Sequence, residues 1–279
     1  MKNNQFNKNL LICGDNLNAL NDLKKQGIQV DLIYLDPPFF SNRQYEVVWG
    51  DEAEVRSFKD RWAGGINVYI EWMKQRVMKM YDVLKDTGSL YLHCDWHAGH
   101  YLKVMLDEVF GHRNFINEII WSYQGTGNPK RSFKRKHDTL LFYGKTESYI
   151  FNYEEMQESI TEKSLVKYTM LDKDGRRYKH YKHPDGIYHR KYLDTAKTMI
   201  LRDVWEISII QSFKERLGYP TQKPEALLER TIKASSNKGA IVLDPFCGCG
   251  TAMAVAQRLN RKWIGIDISP TAISIIEKR

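Results

Sequence analysis

The sequence predicts an α/β protein with a parallel core sheet whose ligand-binding loops lie at the strand ends. Three observations carry this. Val30, Asp31, Leu32, Ile33, Tyr34 and Leu35 form a mostly apolar run that stops at Asp36-Pro37-Pro38-Phe39. Proline cannot continue a ladder, so the run reads as a buried parallel strand whose C-terminal end opens into a loop, where open α/β sheets bind ligands. Ile241, Val242, Leu243 and Asp244 lead into Pro245-Phe246-Cys247-Gly248-Cys249-Gly250-Thr251, followed by Ala252, Val255, Ala256 and Leu259. That pattern reads as strand, glycine turn and helix. Residues 263–266 then end in Asp267, an acidic strand end placed to accept from ribose hydroxyls.

With 279 residues, 42% of them hydrophobic, the chain can bury one large core and still carry an insertion. No run approaches the roughly 18 apolar residues of a membrane span. The start, Met1-Lys2-Asn3-Asn4-Gln5, lacks the apolar centre of a signal peptide. A soluble, cytoplasmic protein is expected, with Cys13, Cys94, Cys247 and Cys249 as reduced thiols and no metal at the last two.

In order, Leu10 to Cys13 is a strand, Gly14-Asp15 a turn, and Leu17, Leu20 and Leu23 mark a helix that Asp15 can cap. The connection 41–65, with Trp49 and Trp62, is long enough to suggest a functional segment, a surface excursion being the plain alternative. From 66 to 85, Tyr69, Met73, Val77, Met80, Tyr81 and Leu84 recur at helical spacing. Residues 88–94 give a strand and 97–110 a helix closed by Gly111. Between them, His93-Cys94-Asp95-Trp96-His97-Ala98-Gly99-His100 resembles a metal cluster, but a strand end and helix start explain it without one, and no metal is expected. Strands at 115–121 and 139–143 bracket a loop rich in Gly, Pro, Lys and Arg. Beyond Tyr143, aromatic and basic residues interleave, most densely from Tyr178 to Tyr192. Pro224 starts a helix carrying Ala226, Leu227, Thr231 and Ile232.

The tip at Asp36 offers an acidic acceptor, carbonyls left unpaired by the prolines and the face of Phe39, together suited to a planar base carrying an amino group. A rigid turn with a solvated Asp is the alternative. In the second motif glycines allow close backbone approach. Met253 stands where the dinucleotide fingerprint has its third glycine or alanine, so the expected cofactor is a nucleoside without a pyrophosphate.

The D-P-P-F motif at 36–39, Thr221-Gln222-Lys223-Pro224, and D-P-F-C-G-C-G-T at 244–251 together resemble the amino-group DNA methyltransferases dependent on S-adenosylmethionine, in the permuted order called beta. The resemblance covers nearly the whole chain. It implies a circularly permuted, Rossmann-like methyltransferase sheet, mostly parallel with one antiparallel strand, and an inserted target-recognition region. Residues 1–151, including the basic loop 124–137, would form the catalytic half, 152–214 the insertion and 215–279 the cofactor half. Asp36, Pro37, Pro38 and Phe39 match the catalytic motif. Asp15, Asp36, Thr221, Gln222, Lys223, Asp244, Pro245, Phe246, Gly248, Gly250, Thr251 and Asp267 would surround S-adenosylmethionine, with Asp15 near its adenine. Residues 93–100 would sit at the rim beside its methionine end, and 41–65 would flank the target base.

The implied reaction is methyl transfer to the N6 amino group of adenine in duplex DNA, on a base rotated out of the stack. Asp at the head of the motif favours adenine over the alternative, cytosine N4. No Pro-Cys pair of the carbon-5 enzymes is present. Between residues 123 and 218, 19 Lys and Arg stand against 13 Asp and Glu, so +6 of the chain's +8 lies in about a third of its length. Clustered charge of this kind is a footprint of nucleic-acid binding. Lys130, Arg131, Lys134, Arg135 and Lys136 are accordingly assigned to phosphates, against the alternative of a solvated face. Charge does not separate DNA from RNA. A non-catalytic nucleic-acid-binding subunit of the same fold stays open, as do a homodimer and a restriction-modification partner.

Overall fold

The computed structural model describes residues 8–41, 62–125, 127–159, 165–194, 198–210, 215–219 and 221–279. Most of the connection expected to flank the target base, Trp49 included, lies outside them. The chain forms two compact units, one of Met1–Asn152 with Asp203–Arg279 and one of Tyr153–Arg202.

Along the chain, the first unit contributes β1 (Leu10–Cys13), α1 (Asn16–Lys25), β2 (Val30–Leu35), α2 (Ile66–Val83), β3 (Leu84–Cys94), α3 (Gly99–Phe110), β4 (Phe115–Ser122) and β5 (His137–Gly144). The second unit holds β6 (Gln157–Ser159), β7 (Met170–Leu171), β8 (Arg177–Lys182), β9 (Tyr188–Tyr192) and β10 (Thr198–Ile200). The first unit resumes with β11 (Val204–Glu206), α4 (Glu225–Ser235), β12 (Ile241–Asp244), α5 (Thr251–Arg258), β13 (Lys262–Asp267) and α6 (Pro270–Lys278).

The main sheet has the order β1-β13-β12-β2-β3-β5-β4-β11. Among its strands only β5 runs antiparallel, pairing that way with both β3 and β4. Successive side chains point to opposite faces, and two cores result. Ile33 and Leu35, Leu90 and Leu92, Leu141 and Tyr143, and Ile241 and Leu243 face α1, α2 and α3. Leu32 and Tyr34, Tyr91, Leu140 and Phe142, and Val242 face α4 and α5. Among the described residues no helix is long and apolar enough to cross a membrane.

Three local readings change. Helix α2 stops at Val83 and β3 begins at Leu84, because Leu84 pairs with Val30 and Lys85 Nζ reaches Asp31 Oδ1 at 2.7 Å. Helix α3 begins at Gly99, since the Asp95 carboxylate takes the His97 backbone N–H at 2.9 Å and holds a turn there. Residues 204–206, grouped by sequence with the insertion, pair with β4 as the sheet's edge strand.

In the second unit, β7, β8 and β9 form an antiparallel sheet and β6 pairs with β10. The aromatic and basic alternation there serves partly to hold the hairpin together. Tyr178 and Tyr192 face each other across β8 and β9 with centroids 5.6 Å apart. Arg190 lies over Tyr178 at 4.8 Å and Arg176 over Tyr192 at 4.2 Å.

Candidate active site

From β2 the chain crosses through α2 to β3 on one side, and from β12 through α5 to β13 on the other. The boundary between β2 and β12 is therefore a topological switch point, where a crevice opens at the strand C-termini. Parallel pairing brings Asp36, Asp244, Asp267 and Asp15 to this one edge, although they are far apart in sequence. A cavity of about 630 Å³ lies there. Of the expected catalytic and cofactor residues, all but Gly250 line it.

Asp36 is held by both halves of the unit. Its Oδ2 accepts from Lys223 Nζ at 2.5 Å, and both side chains are mostly buried. Its Oδ1 is buried and, among the described residues, has no hydrogen-bond partner; His93 Nδ1 is 3.7 Å away. The motif's turn is pinned where Tyr69 Oη donates to the Pro38 carbonyl at 2.6 Å. Phe40 adopts φ 60°, an unusual backbone for a non-glycine residue, and its ring packs on Tyr69. Phe39 lines the cavity with its ring 5.4 Å from His93 and the Lys223 ammonium 5.1 Å above it.

The glycine turn requires its glycines. Gly248 and Gly250 have φ of 48° and 81°, and a Cβ on Gly250 would meet Ile276 Cγ1 at 2.7 Å. Gly250 thus shapes the turn from behind the cavity wall. The Asp267 carboxylate takes the Gly248 N–H at 2.7 Å and the Ser269 N–H at 2.9 Å. It ties the turn to the end of β13, a structural duty additional to the one expected of it. Gln222 is committed likewise, donating to the Glu215 carbonyl at 2.7 Å and accepting from Leu217 N at 2.8 Å. Burial, and then the charges of Asp36 and Asp267, push the Asp244 carboxyl well above the usual range.

Asp15 both caps α1, accepting from Leu17 N at 2.9 Å, and lines the cavity. Its other oxygen accepts from Arg76 at 2.8 Å. Arg76 also donates to Asn16 Oδ1, and Asn16 donates to the Pro245 carbonyl at 2.8 Å, so α2, the first turn and the glycine loop are tied together. The sequence reading missed Arg76. Its signal was a charge three residues after Met73, on the face of α2 that also buries Val77.

From sequence, His93 reads only as part of the 93–100 cluster, without a role of its own. It is fully buried, with Nδ1 2.9 Å from Tyr34 Oη and Nε2 3.2 Å from Asp138 Oδ2, and Tyr123 Oη donates to Asp138 Oδ1 at 3.0 Å. Burial opposes ionisation of Asp138, yet the His93 hydrogen bond and charge, with Lys223 and Tyr123, hold its carboxyl below the usual range. His97 instead turns to Asp95 at 2.7 Å and stacks on Trp96. None of residues 93–100 lines the cavity itself, but His93 backs it, with Nδ1 3.7 Å from Asp36 Oδ1 and its ring 5.4 Å from Phe39. Among the described residues, the His, Cys, Asp and Glu side chains close enough to share an ion are the exposed His183, Asp185 and His189 of the second unit. Cys247 and Cys249 are buried thiols whose pKa burial raises.

The predicted basic residues lie between β4 and β5. Lys130, Arg131 and Lys134 are exposed, Lys136 is half-buried, and the Arg135 guanidinium rests 4.0 Å above Trp96.

A family described as DNA methylase matches residues 30–278. The chain belongs to this DNA methylase family. The methylase is 32% identical to the Type II methyltransferase M.HpaI of Haemophilus parainfluenzae, over 96% of this chain and 73% of that protein. It is 30% identical to the DNA adenine methyltransferase YhdJ of Escherichia coli (strain K12), over 95% and 80%. Solved structures that resemble the methylase in fold include the cytosine-N4-specific PvuII DNA methyltransferase (TM-score 0.63, 15% identity, 98% of this chain and 89% of that one). The M1.HpyAVI–SAM complex is another (TM-score 0.60, 18%, 96% and 97%).

Proposed function

We propose that this methylase transfers the methyl group of S-adenosylmethionine to the N6 amino group of adenine in duplex DNA, as a cytoplasmic enzyme. One observation carries the reading: at the switch point, Asp36 has one oxygen fixed by Lys223 and the other buried and, among the described residues, without a hydrogen-bond partner. A buried acceptor without a donor is costly unless a ligand supplies one, and an exocyclic amino group is such a donor.

The cavity suits the cofactor. Carboxylates at Asp15, Asp244 and Asp267 face a molecule with hydroxyls and two cationic centres, and the N-terminus of α5 favours its carboxylate. Bound there, S-adenosylmethionine supplies an electrophilic methyl group. Phe39 offers a stacking face for the extruded base, worth about 1–3 kcal/mol. Asp36 Oδ1 accepts from the amino group, turning its lone pair away from the ring and stabilising the positive charge that develops on nitrogen. Lys223 on Oδ2 fixes the plane of the carboxylate.

Asp at the head of the motif and the adenine-specific relative YhdJ favour adenine; the fold shared with a cytosine-N4 enzyme keeps N4 as the second reading. Of the residues 152–214 expected to form the insertion, the unit Tyr153–Arg202 is assigned target recognition. The Type II names of relatives extend the proposal to pairing with a restriction endonuclease. Incubation with labelled S-adenosylmethionine and mixed-sequence duplex DNA, then nucleoside analysis, tests it. N6-methyladenine is expected, N4-methylcytosine supports the second reading, and no transfer points to a binding subunit.

A further inference from the structure

Phe133 lies outside the site just described and is 95% exposed. It stands in the β4–β5 loop among Lys130, Arg131 and Lys134, all exposed. A phenyl ring surrounded by solvated cations contributes nothing to a core. Its surroundings match a polyanion that also offers flat apolar faces, which is the chemistry of a nucleic-acid base stack.

The root of the loop is fixed and adjoins the cavity. Trp121 and Tyr123 at the end of β4, and Asp138 at the start of β5, all line it. Tyr123 N donates to the Lys136 carbonyl at 3.0 Å, and Tyr123 Oη donates to Asp138 at 3.0 Å. Arg135 is braced on Trp96, which in turn stacks on His97 with centroids 3.8 Å apart. The loop is therefore anchored beside the pocket and carries the ring of Phe133 outward.

We propose that Phe133 inserts into the base stack of the DNA duplex and occupies the space left by the base turned out toward Asp36 and Phe39. The inference rests on the reading of the site as one that methylates an extruded base. Phe133 is a positioning residue. It touches neither the reacting nitrogen nor the cofactor, and acts by holding the extruded state open.

The test uses the full chain with Phe133→Ala and Phe133→Trp, on duplexes containing the site that the parent methylates. One duplex is fully paired; in the other the target base faces an abasic position, which makes extrusion easier. With cofactor and DNA saturating, Phe133→Ala is expected to slow single-turnover methylation of the paired duplex by about 5- to 100-fold, the range that removal of one stacked ring produces. Phe133→Trp should stay near the parent rate, and the abasic duplex should bring Phe133→Ala back close to parent. A Phe133→Ala rate equal to parent on paired DNA overturns the insertion, and so does an equal loss on both duplexes. In either case an active parent leaves the reading of the site standing. A parent that methylates no duplex removes both.

Discussion

Replacing Asp36 by Ala separates two things its carboxylate does. One oxygen neutralises Lys223 at 2.5 Å, with the two side chains only 17% and 14% exposed. The other, without a partner among the described residues, is the acceptor assigned to the target amino group. Removing one member of a buried ion pair costs about 3–5 kcal/mol, because the remaining charge is left without a counterion; residual solvent access places this case near the lower end. Losing a preorganised transition-state acceptor costs about 100- to 1000-fold in rate. In the double variant Asp36→Ala/Lys223→Met the stranded ammonium is gone, so most of the stability should return while the rate does not. Urea unfolding reads the first quantity, and single-turnover methylation by folded, cofactor-saturated protein reads the second. If the single variant turns over within a few-fold of parent, or the double variant regains rate together with stability, the acceptor role is refuted.

Three further outcomes follow from the geometry. Replacing Lys130, Arg131 and Lys134 with Ala should flatten the salt dependence of duplex binding by about 0.9 in log-log slope for each phosphate that is no longer neutralised. Arg135→Ala should change it less, its guanidinium being stacked on Trp96, and an unchanged slope in the triple variant makes the loop a solvated face. Arg76→Met keeps the packing on Trp72 but releases Asp15 and Asn16. Asp15 is 38% exposed and stays solvated, so the expected stability loss of about 1–3 kcal/mol comes mainly from the buried Asn16 Oδ1 left without its donor, with weaker cofactor binding by calorimetry; unchanged affinity removes Arg76 from the site. Asp244, whose carboxyl burial and neighbouring charges hold well above the usual range, should release a proton when the cationic cofactor binds. Affinity then rises with pH up to the raised pKa, and calorimetry in buffers of different ionisation enthalpy measures the release. The unliganded fold should show the opposite trend: it keeps a proton that the unfolded chain gives up near pH 4, so from there to the raised pKa its stability falls as pH rises. Heat of binding independent of the buffer would sink this assignment.

The fold was legible where burial is symmetrical. Strands β2 and β12 are covered on both faces, and such strands read as continuous apolar runs. The glycine turn was legible because two of its positions need positive φ. The α2–β3 junction was not, since Leu84 satisfies a helical spacing and a strand equally, and only its pairing with Val30 decides. The edge strand Val204–Glu206 is three residues long with one buried side chain, too little for any period to register. Within the site, the acidic strand ends were visible one by one. Their clamps were not: Arg76 and His93 are polar groups inside apolar patterns, and their partners lie 45 to 61 residues away.

The central pairing of β2 with β12 also bears on how the protein is made. Leu32 meets Val242 across a stretch that takes about 10 to 40 s to synthesise at 5–20 residues per second. Through that interval β2 lacks its partner on one side, and β1 waits still longer for β13. Unpaired apolar edges invite intermolecular strand pairing, and here that exposure lasts until residues 241–244 have been made. Until then the crevice does not exist, because its second wall, Asp244 to Ala252 with Asp267, has not arrived.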